Sequence, residues 1–135
     1  MFIQINPANG IAVYDQIARQ VMFAVASGTL GPGDLVPSVR ELARELAINP
    51  NTVARAYREL QHQEIVEQVP GTGLAVRSGA RRTCQAERRG LLREQIGFAL
   101  QESFESGLNF EEVATLVDAE MQRLRKSHRP TGEEA

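Results

Sequence analysis

Proline is the residue least tolerated inside a helix, yet Pro50 heads a strongly helical pattern in "INPNTVARAYREL", residues 48–60. Asn49 is a favourable N-cap. A proline at the first helical position gives up only an N–H that has no intrahelical partner there. Pro50 therefore starts a helix and fixes its first residue. Val53, Tyr57 and Leu60 then fall within about 60° of arc, while Asn51, Arg55, Arg58 and His62 gather on the opposite face. Just upstream, "SVRELAREL" (38–46) sets Val39, Leu42, Ala43 and Leu46 on one side. Ser38 with Glu41 three residues on reads as a capping box. Two short helices joined by about three residues, with small Ala43 allowing close approach, predict a helix-turn-helix.

The flanks extend the pattern. "VYDQIARQVMFAVAS" (13–27) carries Ile17, Val21, Ala24 and Val25 at helical spacing, Gly28 ends that helix, and "GPGD" (31–34) reads as a turn. After the helix pair, "EIVEQVPGTGLAVRS" (64–78) changes period from 3.6 to 2. Ile65 and Val66 open one strand, Leu74 to Val76 lie in the second, and "PGTG" (70–73) is the turn between them. Helix, helix-turn-helix and hairpin in that order form a winged helix, whose hairpin tip is suited to approach a phosphate backbone. Two plainer readings stand beside this one. The donor-rich face is also what a solvated helix looks like, with Arg55 and Glu59 as an i,i+4 pair. A hairpin by itself is usually only a turn.

A second unit is expected from residue 80. "SGARRTCQAERRG" (78–90) reads as an Arg-rich linker grading into a helix. Leu92, Ile96, Leu100 and Phe104 form an apolar stripe ending at "ESG" (105–107). Asn109 with Glu112 resembles a second capping arrangement, and Phe110, Val113, Leu116, Val117, Met121 and Leu124 form another stripe. Two helices with one stripe each cannot bury both alone, so a partner is expected. The tail "SHRPTGEEA" (127–135) is expected to fray. The predicted class is mostly α (α+β): a winged helix-turn-helix over residues 1–79, then a two-helix dimerisation region over 80–135.

Taken together, "LVPSVRELARELAINPNTVARAYRELQHQEIVEQVPGTGLAV" (35–76) resembles the DNA-binding domain of GntR-family bacterial transcription regulators, and the match extends upstream through residues 12–34. The short region after the wing resembles that of the YtrA subfamily. The resemblance implies a cytoplasmic homodimeric regulator, commonly a repressor and often of transporter genes, bound to a double-stranded inverted-repeat operator. It implies DNA contacts by Ser38 and Arg40 of the "P-S-x-R-E" run, by Asn49, Asn51 and Thr52 at the start of the recognition helix, and by Gly71, Thr72 and Gly73 of the wing. Many relatives carry arginine where this chain has Pro50 and Ala54; Arg55 on the donor face either compensates for them or touches phosphate only. It implies that the short C-terminal helices serve dimerisation, and the two unburied stripes then give the interface as Leu92, Ile96, Leu100, Phe104, Val113, Val117, Met121 and Leu124. It names no small-molecule effector.

Charge is the main objection to nucleic acid. The whole chain carries −2, and residues 1–79 hold six arginines against seven carboxylates. The reading then rests on where those charges sit, with Arg81 and Arg82 as further candidates. A winged-helix module that docks a protein and binds no DNA is the rival; retention on heparin with steep salt dependence separates the two. No cofactor, metal or catalytic constellation emerges: His62 and His128 lack ligand spacing, and Cys84 reads as a free thiol in the linker. A single cysteine, no segment of roughly 20 apolar residues and no signal-like start favour a cytoplasmic protein away from membranes.

Overall fold

The computed structural model describes residues 3–8 and 10–127. Its elements run α1 (Val13–Ser27), α2 (Val39–Leu46), α3 (Pro50–His62), β1 (Val66–Val69), β2 (Gly73–Val76), α4 (Ala80–Glu105) and α5 (Phe110–Ser127). The tail beyond Ser127, with His128, lies outside the described residues. Among the described residues no helix is long and apolar enough to cross a membrane.

Local chemistry sets each boundary. Glu41 N–H donates to Ser38 Oγ, and Ser38 N–H donates to Glu41 Oε1, both at 3.0 Å, so the capping box of α2 is formed. The helix stops without a glycine. Ala47 takes the left-handed conformation (φ 55), its N–H bonds to the Arg44 carbonyl, and Ile48 N–H bonds to the Ala43 carbonyl at 3.0 Å. This is a Schellman closure, held by Ile48 packing against the core. Helix α3 ends the same way on Glu64 (φ 60), with Ile65 N–H bonded to the Leu60 carbonyl. Ile65 is fully buried, which anchors the closure before the chain enters β1.

The first compact unit covers residues up to Leu91. Its core joins Ile17, Val21 and Val25 of α1, Leu42 and Ala43 of α2, and Val53, Ala56, Tyr57 and Leu60 of α3. Strands β1 and β2 pair antiparallel, Val66 opposite Val76 and Val69 opposite Gly73. The segment before α2 lies on the free edge of β2: Leu35 bridges Ala75, and Val36 N–H donates to the Leu74 carbonyl at 3.0 Å. The wing is thus tied at its base to the loop that enters the helix-turn-helix.

The stretch 78–90, read as an Arg-rich linker grading into a helix, is helical from Ala80, and the division between units falls inside α4, after Leu91. The reason is a narrow apolar stripe. Ala80, Cys84 and Leu91 stand on one side of α4 at helical spacing; the first two are buried in the N-terminal core and Leu91 packs against it. Cys84 is a free thiol, as expected, but a core residue and not an exposed one. Burial pushes its pKa up from 9.0 to about 11, with Glu87 adding in the same direction. In the unfolded chain the thiol ionises first, so across pH 9 to 11 the unfolded state has lost a proton that the folded state keeps. Stability contributed by this site therefore falls as pH rises through that window, by at most about 1.4 kcal/mol per pH unit. Tyr57, raised mainly by burial and then by Glu41 and Glu45, acts with the same sign from about pH 10 upward, overlapping the upper part of this window. The expected result is a thermal midpoint that declines across the window, and declines less steeply in Cys84→Ala. Parallel slopes in the two chains would contradict the assignment.

The second unit begins at Leu92. There α4 closes on Gly107, with Leu108 N–H bonded to the Ser103 carbonyl, and α5 opens with a reciprocal cap between Asn109 and Glu112 at 2.8 and 2.9 Å. The Phe104 and Phe110 rings meet at 4.7 Å across this turn.

Candidate nucleic-acid interface

Helix α3 presents Asn51, Arg55, Arg58 and His62 to solvent, while Val53, Ala56, Tyr57 and Leu60 on its other side are buried. Asn49 Oδ1 accepts the Asn51 N–H at 2.8 Å, so the N-cap is made and the Asn49 amide nitrogen stays available. Thr52 is half-buried one turn in. The Tyr57 hydroxyl donates to the Pro37 carbonyl at 2.6 Å, fixing the entry of α2 against α3. Ser38 and Arg40 begin α2 at that point, and both are exposed. The Ser38 hydroxyl accepts the Glu41 N–H in the capping box. Glu41 is held below the usual carboxylate range, first by the Ser38 N–H, then by the Ser38 hydroxyl, with a smaller contribution from Arg44. It therefore stays ionised and keeps the cap.

The six arginines of residues 1–79 divide sharply. Arg19 pairs with Asp15 at 3.2 Å, and Arg77 lies 3.7 Å from Glu64 and 3.9 Å from Glu67 at the base of the wing. The other four, Arg40 and Arg44 on α2 and Arg55 and Arg58 on α3, form no ion pair among the described residues. The near-zero balance of the domain thus hides a segregation: the paired cations lie off the helix-turn-helix and the unpaired ones on it. The expected alternative pair Arg55–Glu59 is not formed. The Arg55 guanidinium carbon lies instead 3.8 Å from the ring centroid of Tyr14, in the first turn of α1. Sequence reasoning missed Tyr14, because a stacked pair 41 positions apart depends on how α1 packs on α3 and leaves no local signal.

At the wing, Thr72 N–H donates to the Val69 carbonyl at 3.0 Å and closes the turn. Gly71 (φ 75) and Gly73 (φ 134) hold backbone angles that other residues adopt only under strain, although a Cβ at either would meet nothing within 4 Å. These glycines shape the tip and are not forced by internal crowding. The outer surface of Gly71 and Thr72 is exposed. Arg81 lies elsewhere, with its guanidinium beside Gly28 at the far end of α1 from Tyr14. That position sets it apart from the exposed arginines of α2 and α3.

In the second unit, Leu92 is 45 % exposed, Ile96 62 %, Val117 45 %, Met121 49 % and Leu124 38 %, and Leu100 and Phe104 are half-buried. Val113 departs from the expected interface: it is buried within the chain at 4 % and offers no free face. Phe98, 69 % exposed, lies off the stripe drawn through Leu92 and Ile96. Among the described residues no group of three or more His, Cys, Asp or Glu side chains is placed to hold a metal ion.

The comparisons agree with this geometry. Residues 13–76 match the family described as bacterial regulatory proteins, gntR family. Over 111 residues the chain is 34% identical to the HTH-type transcriptional repressor YtrA of Bacillus subtilis, which covers 82% of this chain and 85% of that protein. The crystal structure of a transcriptional regulator from Oenococcus oeni superposes with a TM-score of 0.70 at 29% identity, covering 89% of this chain and 99% of the other. YtrA from Sulfolobus acidocaldarius, a GntR-family transcription factor, gives 0.56 at 35% identity, covering 75% and 99%. The chain belongs to the gntR family of bacterial regulatory proteins and is a transcriptional regulator with a DNA-binding winged-helix fold.

Proposed function

We propose that the protein is a homodimeric repressor that binds an inverted-repeat operator through α2, α3 and the wing. The observation that carries this reading is the segregation of four unpaired arginines onto the two helices of the helix-turn-helix. Helix α3 supplies Asn49, Asn51, Thr52 and Arg55, α2 supplies Ser38 and Arg40, and the wing supplies Gly71, Thr72 and Gly73. Phosphate contacts fix the register and base-edge contacts give the sequence preference. The exposed apolar faces of α4 and α5 support pairing of two chains about a two-fold axis. Repression follows the name of the Bacillus subtilis relative, and the family resemblance makes transporter genes the first targets to examine.

Selection of bound duplexes from random DNA tests this reading. The expected product is an inverted repeat with half-site centres about one helical turn, or a multiple, apart. Affinity should fall steeply as salt rises. Recovery of no preferred sequence, with weak salt dependence, would favour a protein-docking module.

A further inference from the structure

We propose that Tyr14 is a positioning residue for DNA binding: its ring holds the Arg55 guanidinium at the junction of α1 and α3, as an anchor for an operator phosphate. This rests on the operator-binding reading above and settles which kind of contact Arg55 makes. Three observations converge. The guanidinium carbon stands 3.8 Å from the ring centroid, over the face of the ring. Arg55 is exposed and forms no ion pair among the described residues, so stacking is the interaction that orders it. Tyr14 is itself held, partly buried against the domain core. A guanidinium covered on one face keeps its N–H groups free around the edge, in the fork that matches a phosphate.

The direction of the side chain distinguishes phosphate from base. An arginine that reads a base extends away from its helix into the groove. Arg55 is drawn back over a neighbouring helix, away from the N-terminal residues of α3, the part of a recognition helix that reaches base edges in helix-turn-helix docking. Ordering the side chain before DNA arrives also removes rotamer entropy that binding would otherwise have to freeze. Tyr14 thus acts through Arg55.

The test uses the full chain and two probes: the tightest duplex selected from random DNA, and a shuffled duplex of the same composition. Arg55→Ala should weaken both probes by a similar factor and lower the salt slope by about one. Tyr14→Leu should weaken binding about two- to fivefold, the range of an exposed cation–π contact, while Tyr14→Phe, which keeps the ring, should bind as the parent does. In an Arg55→Ala background Tyr14→Leu should have no further effect. Arg55→Met keeps the apolar stem over the ring and removes the charge. It should reproduce the loss of Arg55→Ala, a result that does not depend on Tyr14→Leu folding. Equal losses from Tyr14→Leu with and without Arg55 would overturn the positioning role. Loss confined to the selected duplex, with relaxed preference at one position, would overturn the phosphate assignment. A parent chain that binds neither probe would remove the operator reading as well, which separates the two failures.

Discussion

A chain cut after Leu91 is expected to stay folded, to be monomeric, and to bind operator roughly 10²–10⁴-fold more weakly than the full chain. The cut removes the exposed Ile96, Phe98, Met121 and Leu124 and leaves the core of the first unit whole. Its effect comes from geometry. Two weak sites joined through a dimer bind as one, because the second half-site sees a high effective concentration once the first is occupied. The position of the cut matters. Ending the chain at residue 79, where the linker was expected, would also strip Ala80 and Cys84 from the core and cost at least roughly 2 kcal/mol of stability. Light scattering should give twice the monomer mass for the full chain and a single monomer mass for the cut one. Ile96→Glu in the full chain should reproduce the loss of affinity without truncation. A full-length monomer that still grips an inverted repeat tightly would end the dimer reading.

Where the sequence was legible, the information was local. Pro50 and Asn49 set the start of α3, Ser38 and Glu41 set the start of α2, and Asn109 with Glu112 set the start of α5, because a cap is made within three residues. Helix ends were harder. Ala47 and Glu64 take left-handed angles without the glycine that normally marks such a position, held there by the closing hydrogen bonds and the packing of Ile48 and Ile65. The first turns of α4 read only as a linker grading into a helix, for a related reason. Arg81, Arg82, Arg88 and Arg89 dominate their composition, and a stripe one residue wide through Ala80 and Cys84 is too thin to register as a helix face.

The candidate site divides along the same line. Residues tied to a motif, Arg40, Asn49, Asn51 and the wing glycines, could be placed by spacing, and each lies on the element expected for it. The condition of the charges could not be read that way. Whether Arg77 is free or neutralised depends on a hairpin that brings Glu64 and Glu67 to it, and the partner of Arg55 depends on α1 crossing α3. A count of six arginines against seven carboxylates argued against DNA; the three-dimensional pairing narrows that objection, because Arg40, Arg44, Arg55 and Arg58 share α2 and α3 with only Glu41, Glu45 and Glu59.

Arg40→Ala is expected to weaken operator binding by about 1–3 kcal/mol, the scale of one good base contact or charged phosphate contact. Arg40 is the second residue of α2, exposed and without an ion pair among the described residues. The Ser38–Glu41 cap on either side fixes the backbone that carries it, so the point from which the side chain leaves the helix is set before DNA arrives. For the same reason its removal should leave folding alone: the thermal midpoint should correspond to a change within about 0.5 kcal/mol, as for other surface positions. Arg44, one turn further along α2, is the control. It already interacts with Glu41, so Arg44→Ala should act less on DNA than Arg40→Ala. If Arg40 meets a base, preference should relax at one position in each half-site. If it meets phosphate, selected and shuffled duplexes should weaken together and the salt slope should drop by about one. Unchanged affinity for both duplexes would take Arg40 out of the interface and move the contact to α3 and the wing.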